Sequence, residues 1–381
     1  MIFQDTQPLV LKRLLNINKN NRVGSAYIFS GQKGSAKEWG SIEFAKLLNC
    51  ESNLNGSCNK CSSCIKFKSL QNPNLKIIVP LPSDSKTKKD GDPLESLSKE
   101  DFEHLTNALT LKSTNPFHKI IVPKARRITI NSIRELRKSI YLKTHSFGRK
   151  MVLIFDAHLL SEGMGESANA LLKILEEPPE NTTIILVTDN KNALLPTVIS
   201  RCQNIHFPSL SNNCVKSILV GRGFDDQKAT EITLIVKGDV HLAVDLANNN
   251  DKDFLEDLLL MSKQLVNVSE TGWRKFIDNL SMLAFRDPNQ FRFKIFLLQL
   301  WFNNAYKIRI SDSTIQGFER LEGSLCKFNE KYPNANLVEI NRLLEDSVES
   351  LSKNFYTPLT LTNLVISVQT LLRGKELQPV L

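Results

Sequence analysis

The chain has 381 residues, 41% of them hydrophobic and 23% charged, and a formal net charge of +9. At that length a single core rarely stays whole, so two or three domains are expected. No run approaches the roughly eighteen apolar residues of a membrane helix, and the N-terminal MIFQDTQPLVLKRLL has no apolar signal core; a cytoplasmic protein is expected, and no membrane association.

The charge is unevenly placed. Residues 251–381 carry 16 basic and 16 acidic side chains, while the first 250 carry 33 basic and 24 acidic. A basic excess can attract nucleic acid or another polyanion, or simply coat a solvated surface.

In chain order, Ser25–Ser30 is predicted as a strand and Glu38–Leu48 as a helix, joined by Gly31-Gln-Lys-Gly34-Ser-Ala36-Lys37-Glu38. This is the outline of a phosphate-binding P-loop, which needs glycines for close backbone approach, a Lys for the β/γ oxygens and a Ser or Thr hydroxyl for magnesium. Gly31, Gly34 and Lys37 are present, but Ala36 stands where the last glycine belongs and Glu38 where the hydroxyl belongs. A carboxylate there repels a triphosphate by on the order of a kcal/mol or more. The loop is degenerate.

Four of the seven cysteines follow within fifteen residues, Cys50, Cys58, Cys61 and Cys64. Two overlapping C-x2-C pairs and a fourth thiolate can close a tetrahedral S4 shell around Zn²⁺, and the lack of His or carboxylate ligands beside them favours a structural over a catalytic ion. Free thiols or an iron–sulfur cluster are the alternatives. Cys202, Cys214 and Cys326 read as ordinary buried thiols.

After a strand at Asn74–Val79, residues 82–118 are polar and rich in turn formers, with a short helix predicted over Glu100–Leu111. The early part of this segment is expected to be mobile, and none of it carries identifiable chemistry. Ile130, Ile133, Leu136 and Ile140 then form a helical apolar stripe. Arg134, Arg137 and Lys138 fall away from it, and with Lys124, Arg126, Arg127, Lys143, Arg149 and Lys150 they make the densest basic region of the chain. It could face nucleic acid, a protein partner or solvent.

The stretch RKMVLIFDAHLLSEGMGESANALLKILEEPPENTTIILVTDNKNALLPTVISRC, residues 149–202, organises the rest. Met151–Asp156 and Thr183–Thr188 are apolar without alternation, as in strands of a parallel sheet covered on both faces. Between them an amphipathic helix is closed by Pro178 and Pro179. The acid Asp156 therefore lies at the carboxyl edge of the sheet, where α/β proteins bind ligands.

SANALLKILEEPPENTTIILVT followed by LLPTVISRC resembles the core of the bacterial clamp-loader ATPase subunits, the AAA+ family that opens the sliding clamp for DNA polymerase III. The resemblance is strong over residues 20–80 and 119–208. It implies an α/β AAA+ domain, P-loop NTPase-like with a parallel sheet, over 1–208, with a zinc module at 50–64 and residues 82–118 as an insertion. A small helical lid at 209–249 and an all-α collar for oligomerisation at 250–381 would follow.

The resemblance also assigns roles. Asp156 would help hold magnesium, but the Glu that polarises water is replaced by Ala157, and the γ-phosphate-sensing Arg of the lid is replaced by His241. The nucleotide site of Gly31, Gly34, Lys37 and Asp156 is thus expected to be weak or empty. Arg201 of Ser200-Arg201-Cys202 is intact and would project into a neighbour's ATP site as an arginine finger in trans, since a guanidinium is always charged and grips phosphate as a fork. The expected function is a non-catalytic clamp-loader subunit, partnered by gamma/tau and delta subunits and, through the complex, by the sliding clamp and primer–template DNA. The alternatives are an ATP-hydrolysing gamma/tau-type subunit and a zinc-dependent DNA-binding module. His158 is expected to be structural, and the aromatic stripe Phe291–Trp301 to be core.

Overall fold

The structure is a computed structural model and describes residues 3–52, 56–82, 91–142, 148–163, 165–248, 254–267, 269–311, 319–352 and 355–377. Residues 83–90, most of the part expected to be mobile, and Lys143 of the basic region lie outside the described residues. The chain forms two compact units, Met1–Ala229 with Val236–Asp245, and Thr230–Ile235 with Leu246–Leu381.

The first unit is built on five parallel strands, β1 (Ala26–Gly31), β2 (Leu75–Ile78), β3 (Lys150–Ile154), β4 (Thr182–Thr188) and β5 (Gln203–Phe207), in the order β2-β3-β4-β1-β5. Every predicted strand is present within a residue or two of its expected ends. The apolar runs lack alternation because both sheet faces are covered: every residue of β4 is buried. Ala26, Ile28, Val152, Ile154, Ile184 and Leu186 point to one face and share a core with Ile133, Leu136, Leu171 and Ile174. On the other face Tyr27 and Phe29 meet Phe44 and Phe207 edge-on or tilted, with ring centroids 5.1–6.3 Å apart.

The helices of this unit are α1 (Phe3–Thr6), α2 (Pro8–Lys19), α3 (Lys37–Leu48), α4 (Ser62–Lys68), α5 (Lys99–Thr114), α6 (Ile130–Ile140), α7 (Glu166–Glu176), α8 (Pro196–Ile199) and α9 (Asn212–Val220). Local chemistry sets their starts. Thr129 Oγ1 accepts the Ser132 N–H ahead of α6, and Ser211 Oγ accepts the Cys214 N–H ahead of α9. Ser98 Oγ accepts the Asp101 N–H at the head of α5 and donates to the Asp101 carboxylate, so the helix predicted inside the insertion is capped at its start, and it runs longer than its apolar pattern suggested. Helices α10 (Asp226–Val236) and α11 (Val240–Asn248) each contribute to both units.

The second unit continues with α12 (Phe254–Val266), α13 (Glu270–Arg286), α14 (Pro288–Ser311), α15 (Glu319–Lys331), α16 (Leu337–Ser352) and α17 (Thr357–Leu372). The aromatic stripe is its core: Phe291, Ile295, Leu298, Trp301 and Phe302 are buried, and the Trp301 ring lies 4.6 Å from that of Phe328. Gln369 Nε2 donates to the carbonyls of Leu265 and Val266, tying α17 to the end of α12. Among the described residues no helix is long and apolar enough to cross a membrane.

Candidate functional site

The carboxyl ends of β1, β3 and β4 converge, and each delivers a charged or phosphate-oriented group. After β1 the loop turns through Gly34 (φ +70°) and Ala36 (φ +64°, ψ +21°) into α3. A Cβ on Gly34 would run into the backbone of Asp239 and Val240, so the second P-loop glycine is required for packing whatever the loop binds. Ala36 sits in the left-handed region that a glycine takes without strain, a conformation that costs an L-residue about 1–2 kcal/mol. After β3, Asp156 is also left-handed (φ +50°) and starts a 3₁₀ turn over Ala157–Leu160. After β4 comes Asp189.

The predicted nucleotide-binding residues are brought together, but they bind one another. Lys37 Nζ, almost fully buried, lies 2.6 Å from Asp189 Oδ1, donates to the Gln32 carbonyl at 2.6 Å and reaches Ser35 Oγ at 3.3 Å. Asp156 Oδ1 accepts from Lys119 Nζ at 2.8 Å, and the same ammonium lies 3.8 Å from Asp189 Oδ2. Glu38, at the first turn of α3, is paired with Lys112 of α5, whose side chain is only 1% exposed. Three cations and three carboxylates thus close on themselves.

Their titration follows from that pairing. Burial pushes Glu38 and Asp189 upward, but Lys112 and Lys119 beside Glu38, and Lys37 and Lys119 beside Asp189, outweigh it, and both carboxyls are held below their ordinary values. Burial alone would lower Lys119, yet Asp156, Asp189 and Glu38 raise it above the usual lysine value. His241 lines the same cavity, and its burial holds the imidazole below its ordinary value. Ala157 is fully buried and offers no proton acceptor. His158 Nδ1 lies 3.2 Å from Thr188 Oγ1, an internal contact between the ends of β3 and β4.

The space left among Gly34, Lys37, Lys119, Asp156, Thr188 and His241 has a volume of about 20 Å³. That is room for about one water molecule, against several hundred Å³ for an ordinary small-molecule site. The insertion expected to carry no chemistry closes it: Lys112 and Phe117 come from that segment, and Lys119 follows directly. Sequence reasoning missed Lys112, Lys119 and Asp189. Asp189 had a signal, since like Asp156 it ends an apolar strand at the sheet edge. The two lysines had none, because Lys112 meets a residue 74 positions away.

Arg201 stands away from this cluster, just past α8 on the surface. Its guanidinium lies 2.7 Å from Glu176 Oε1 at the end of α7 and donates to the Thr197 carbonyl at 3.0 Å. The pair is exposed (37% and 49%), a setting in which ion pairs contribute about 0–1 kcal/mol. The neighbouring Cys202 thiol is pushed up to about 12 by burial.

The four clustered cysteines meet between α3 and α4. All four Sγ atoms lie within 4.8 Å of one another, and Cys58 Sγ is 3.9 Å from Cys64 Sγ. A tetrahedron with Zn–S bonds of about 2.3 Å has S···S edges of about 3.8 Å, so the donor set fits a zinc ion. Backbone N–H groups already point at the sulfurs: Lys60 and Cys61 donate to Cys58 Sγ, Cys58 to Cys50 Sγ, and Cys64 to Cys61 Sγ. The N–H groups of Lys60 and Cys61 hold the Cys58 thiol down at about 5, within the range where a thiolate ligand is ready-made. The thiols are unbridged.

Two residues of the basic region are engaged internally. Arg149 Nε donates to Thr183 Oγ1 and Lys150 Nζ to the Ile140 carbonyl, while Lys124, Arg126, Arg127, Arg137 and Lys138 are exposed.

Comparison with known proteins places these features. The family model described as DNA polymerase III, delta subunit, matches residues 6–211, more than half of the chain. The chain is 23% identical over 308 residues to DNA polymerase III subunit delta' of Bacillus subtilis, an alignment covering 81% of this chain and 79% of that one. It is 26% identical over 216 residues to subunit tau of Bacillus subtilis, covering 56% of this chain and 30% of the relative. With subunit gamma/tau of Mycoplasma pneumoniae it shares 26% over 272 residues, covering 71% and 32%. The chain thus spans most of the delta' relative but only about a third of the tau and gamma/tau relatives. With an AAA+-like parallel sheet under the matched residues, the chain belongs to the DNA polymerase III delta-subunit family, the clamp-loader subunits related to delta', gamma and tau.

Proposed function

We propose that this chain acts in the DNA polymerase III clamp loader as a non-hydrolysing subunit of the delta-prime kind, lending Arg201 to the ATP site of an adjacent gamma/tau subunit. The observation that carries this reading is the self-neutralised nucleotide site. Lys37 and Asp156, the groups a working site aims at phosphate and magnesium, are engaged by Asp189 and Lys119. Entry of a magnesium–nucleotide would have to break both pairs, and Ala157 could not activate water afterwards. A gamma/tau-type ATPase reading needs the last P-loop glycine, the hydroxyl at position 38, the Glu after Asp156 and the sensor Arg, all of which this chain replaces.

Arg201 suits a role in trans because little holds it back. Its exposed pair with Glu176 is weak, and a partner's phosphate offers a forked guanidinium more than a single carboxylate does. Gamma/tau and delta subunits are the proposed partners, with the sliding clamp and primer–template DNA reached through the assembly. The domain reading is an AAA+ domain over 1–208, a lid over 209–249, and helices from 250 onward as the collar of the ring. Cys50, Cys58, Cys61 and Cys64 would hold a structural Zn²⁺, which when bound cross-links the chain segments around α4.

The test is reconstitution with the ATPase partners. The isolated chain should hydrolyse ATP at background, and Arg201→Ala should assemble normally while lowering ATP turnover and clamp loading at least tenfold. Turnover by the isolated chain that Lys37→Ala abolishes, or wild-type rates from the Arg201→Ala complex, would reject the reading.

A further inference from the structure

A degenerate nucleotide site poses a physical problem that the family resemblance leaves open. A P-loop that no longer takes magnesium–nucleotide keeps a buried lysine and carboxylates at one sheet edge, and without counter-charges these would destabilise the fold. In this chain one counter-charge, Lys112, comes from the segment read as an insertion, and Lys119 directly after that segment supplies another. Lys112 lies in the last turn of α5 and is buried against Glu38, with its ammonium 5.7 Å from the Phe155 ring. Phe117 packs edge-on against Trp39 of α3, ring centroids 5.5 Å apart, and Trp39 in turn meets Phe3 at 5.4 Å. Lys119 completes the set on Asp156 and Asp189. Arg222 Nη2 donates to Asn115 Oδ1, which also accepts the Phe117 N–H, so the turn between α5 and Lys119 is itself held.

We propose that α5 and residues 115–119 form a built-in stopper for the nucleotide site, and that this stopper, beyond the altered P-loop, decides that the chain takes no nucleotide. The inference rests on the reading of the site as non-hydrolytic and deepens it. Lys112 and Lys119 supply at this edge the positive charge that magnesium supplies in a working site. The Trp39–Phe117 contact occupies the volume in front of the P-loop helix. The first unit is therefore held in one charge-balanced state that no nucleotide sets.

The stopper makes a prediction that a merely damaged P-loop does not: repairing the loop alone should restore nothing. Three forms of the full chain are compared, wild type, Glu38→Thr, and Glu38→Thr with Lys112→Met, using magnesium–ADP carrying a fluorescent ribose label and hydrogen exchange read by mass spectrometry. Removing both charges together leaves neither partner unpaired, so the double variant is expected to fold. Glu38→Thr leaves Lys112 without its carboxylate, so affinities are compared only where exchange in β1, β3 and β4 is unchanged in both variants, and with Glu38→Gln in place of Glu38→Thr if it is not. The expected result is that wild type and Glu38→Thr bind the probe negligibly, the double variant binds at least tenfold more tightly than Glu38→Thr, and residues 99–114 exchange at least tenfold faster in the double variant than in wild type. Equal affinity for the single and double variants would overturn the stopper, as would unchanged exchange over 99–114 or tight binding by wild type. ATP turnover by the wild-type chain would sink the non-hydrolytic reading and, because turnover requires binding, the stopper with it, whereas a failed probe or exchange comparison without turnover would reject the stopper alone.

Discussion

Replacing Lys112 by Met tests the ion-pair network most directly. The substitution keeps the length and apolar stem of the side chain and removes only the charge, so the cost measures what Glu38 loses. Removing one partner of a buried pair typically costs about 3–5 kcal/mol, because the survivor stays desolvated. Glu38 is 14% exposed and still faces Lys119 and His241, which places the expected cost near the lower end, about 3 kcal/mol. Replacing both residues by Met should cost no more than about 1 kcal/mol, since an apolar pair needs no counter-charge; the coupling between the sites is then about 2 kcal/mol or more. The assay is urea unfolding followed by Trp39 fluorescence, with Trp273 and Trp301 of the other unit replaced by Phe. With a urea slope of about 2 kcal/mol per molar, Lys112→Met should lower the midpoint by about 1.5 M. A midpoint within about 0.25 M of the parent, or an additive double variant, would mean that the pair contributes no more than a surface bridge, and the account of the site would fail.

Other outcomes follow from the same geometry. Native purification should retain about one zinc per chain, lost in Cys58→Ser/Cys61→Ser and on chelation, and zinc-free protein of unchanged stability would reject a structural ion. Below about pH 6.5 the fold should weaken, because His118, His158 and His241 are held neutral chiefly by burial and bind protons more readily once unfolded. Each contributes at most about 1.4 kcal/mol per pH unit. Glu38 and Asp189, with depressed values, add stability above about pH 4.5 that is lost as pH falls through their folded values. Urea midpoints that do not fall from pH 8 to 6.5 and 5.5 would contradict the histidine assignment, and midpoints that do not fall further from pH 4.5 to 3.5 and 2.5 would contradict the carboxylate assignment. Glu176→Gln should leave folding within about 0.5 kcal/mol of wild type, as expected for an exposed pair; a loss above about 2 kcal/mol would show that Arg201 is a structural residue.

Four of the five strands and the cysteine cluster were legible in the sequence because each rests on local pattern, whereas the half-exposed edge strand β5 was not. Unbroken apolar runs such as Met151–Phe155 and Thr183–Val187 are explained only by burial on both faces, and Cys58-x2-Cys61-x2-Cys64 brings sulfurs together through a short turn and one helix. The substitutions at Ala36, Glu38, Ala157 and His241 were legible too, because each interrupts a pattern whose chemistry demands another residue. What fills the site was not legible. A lysine at position 112 in a polar, helical insertion reads as a solvated charge, and nothing within a helical turn of it reveals a buried partner. Only the return of α5 across the P-loop helix brings Lys112 to Glu38, and only the strand order that seats β4 between β1 and β3 puts Asp189 between Lys37 and Lys119. Ion pairs between residues distant in sequence depend on where the backbone delivers them, so the sequence by itself determined which residues stand at Ala36, Glu38, Ala157 and His241, and tertiary structure decided what Lys37, Glu38 and Asp156 hold.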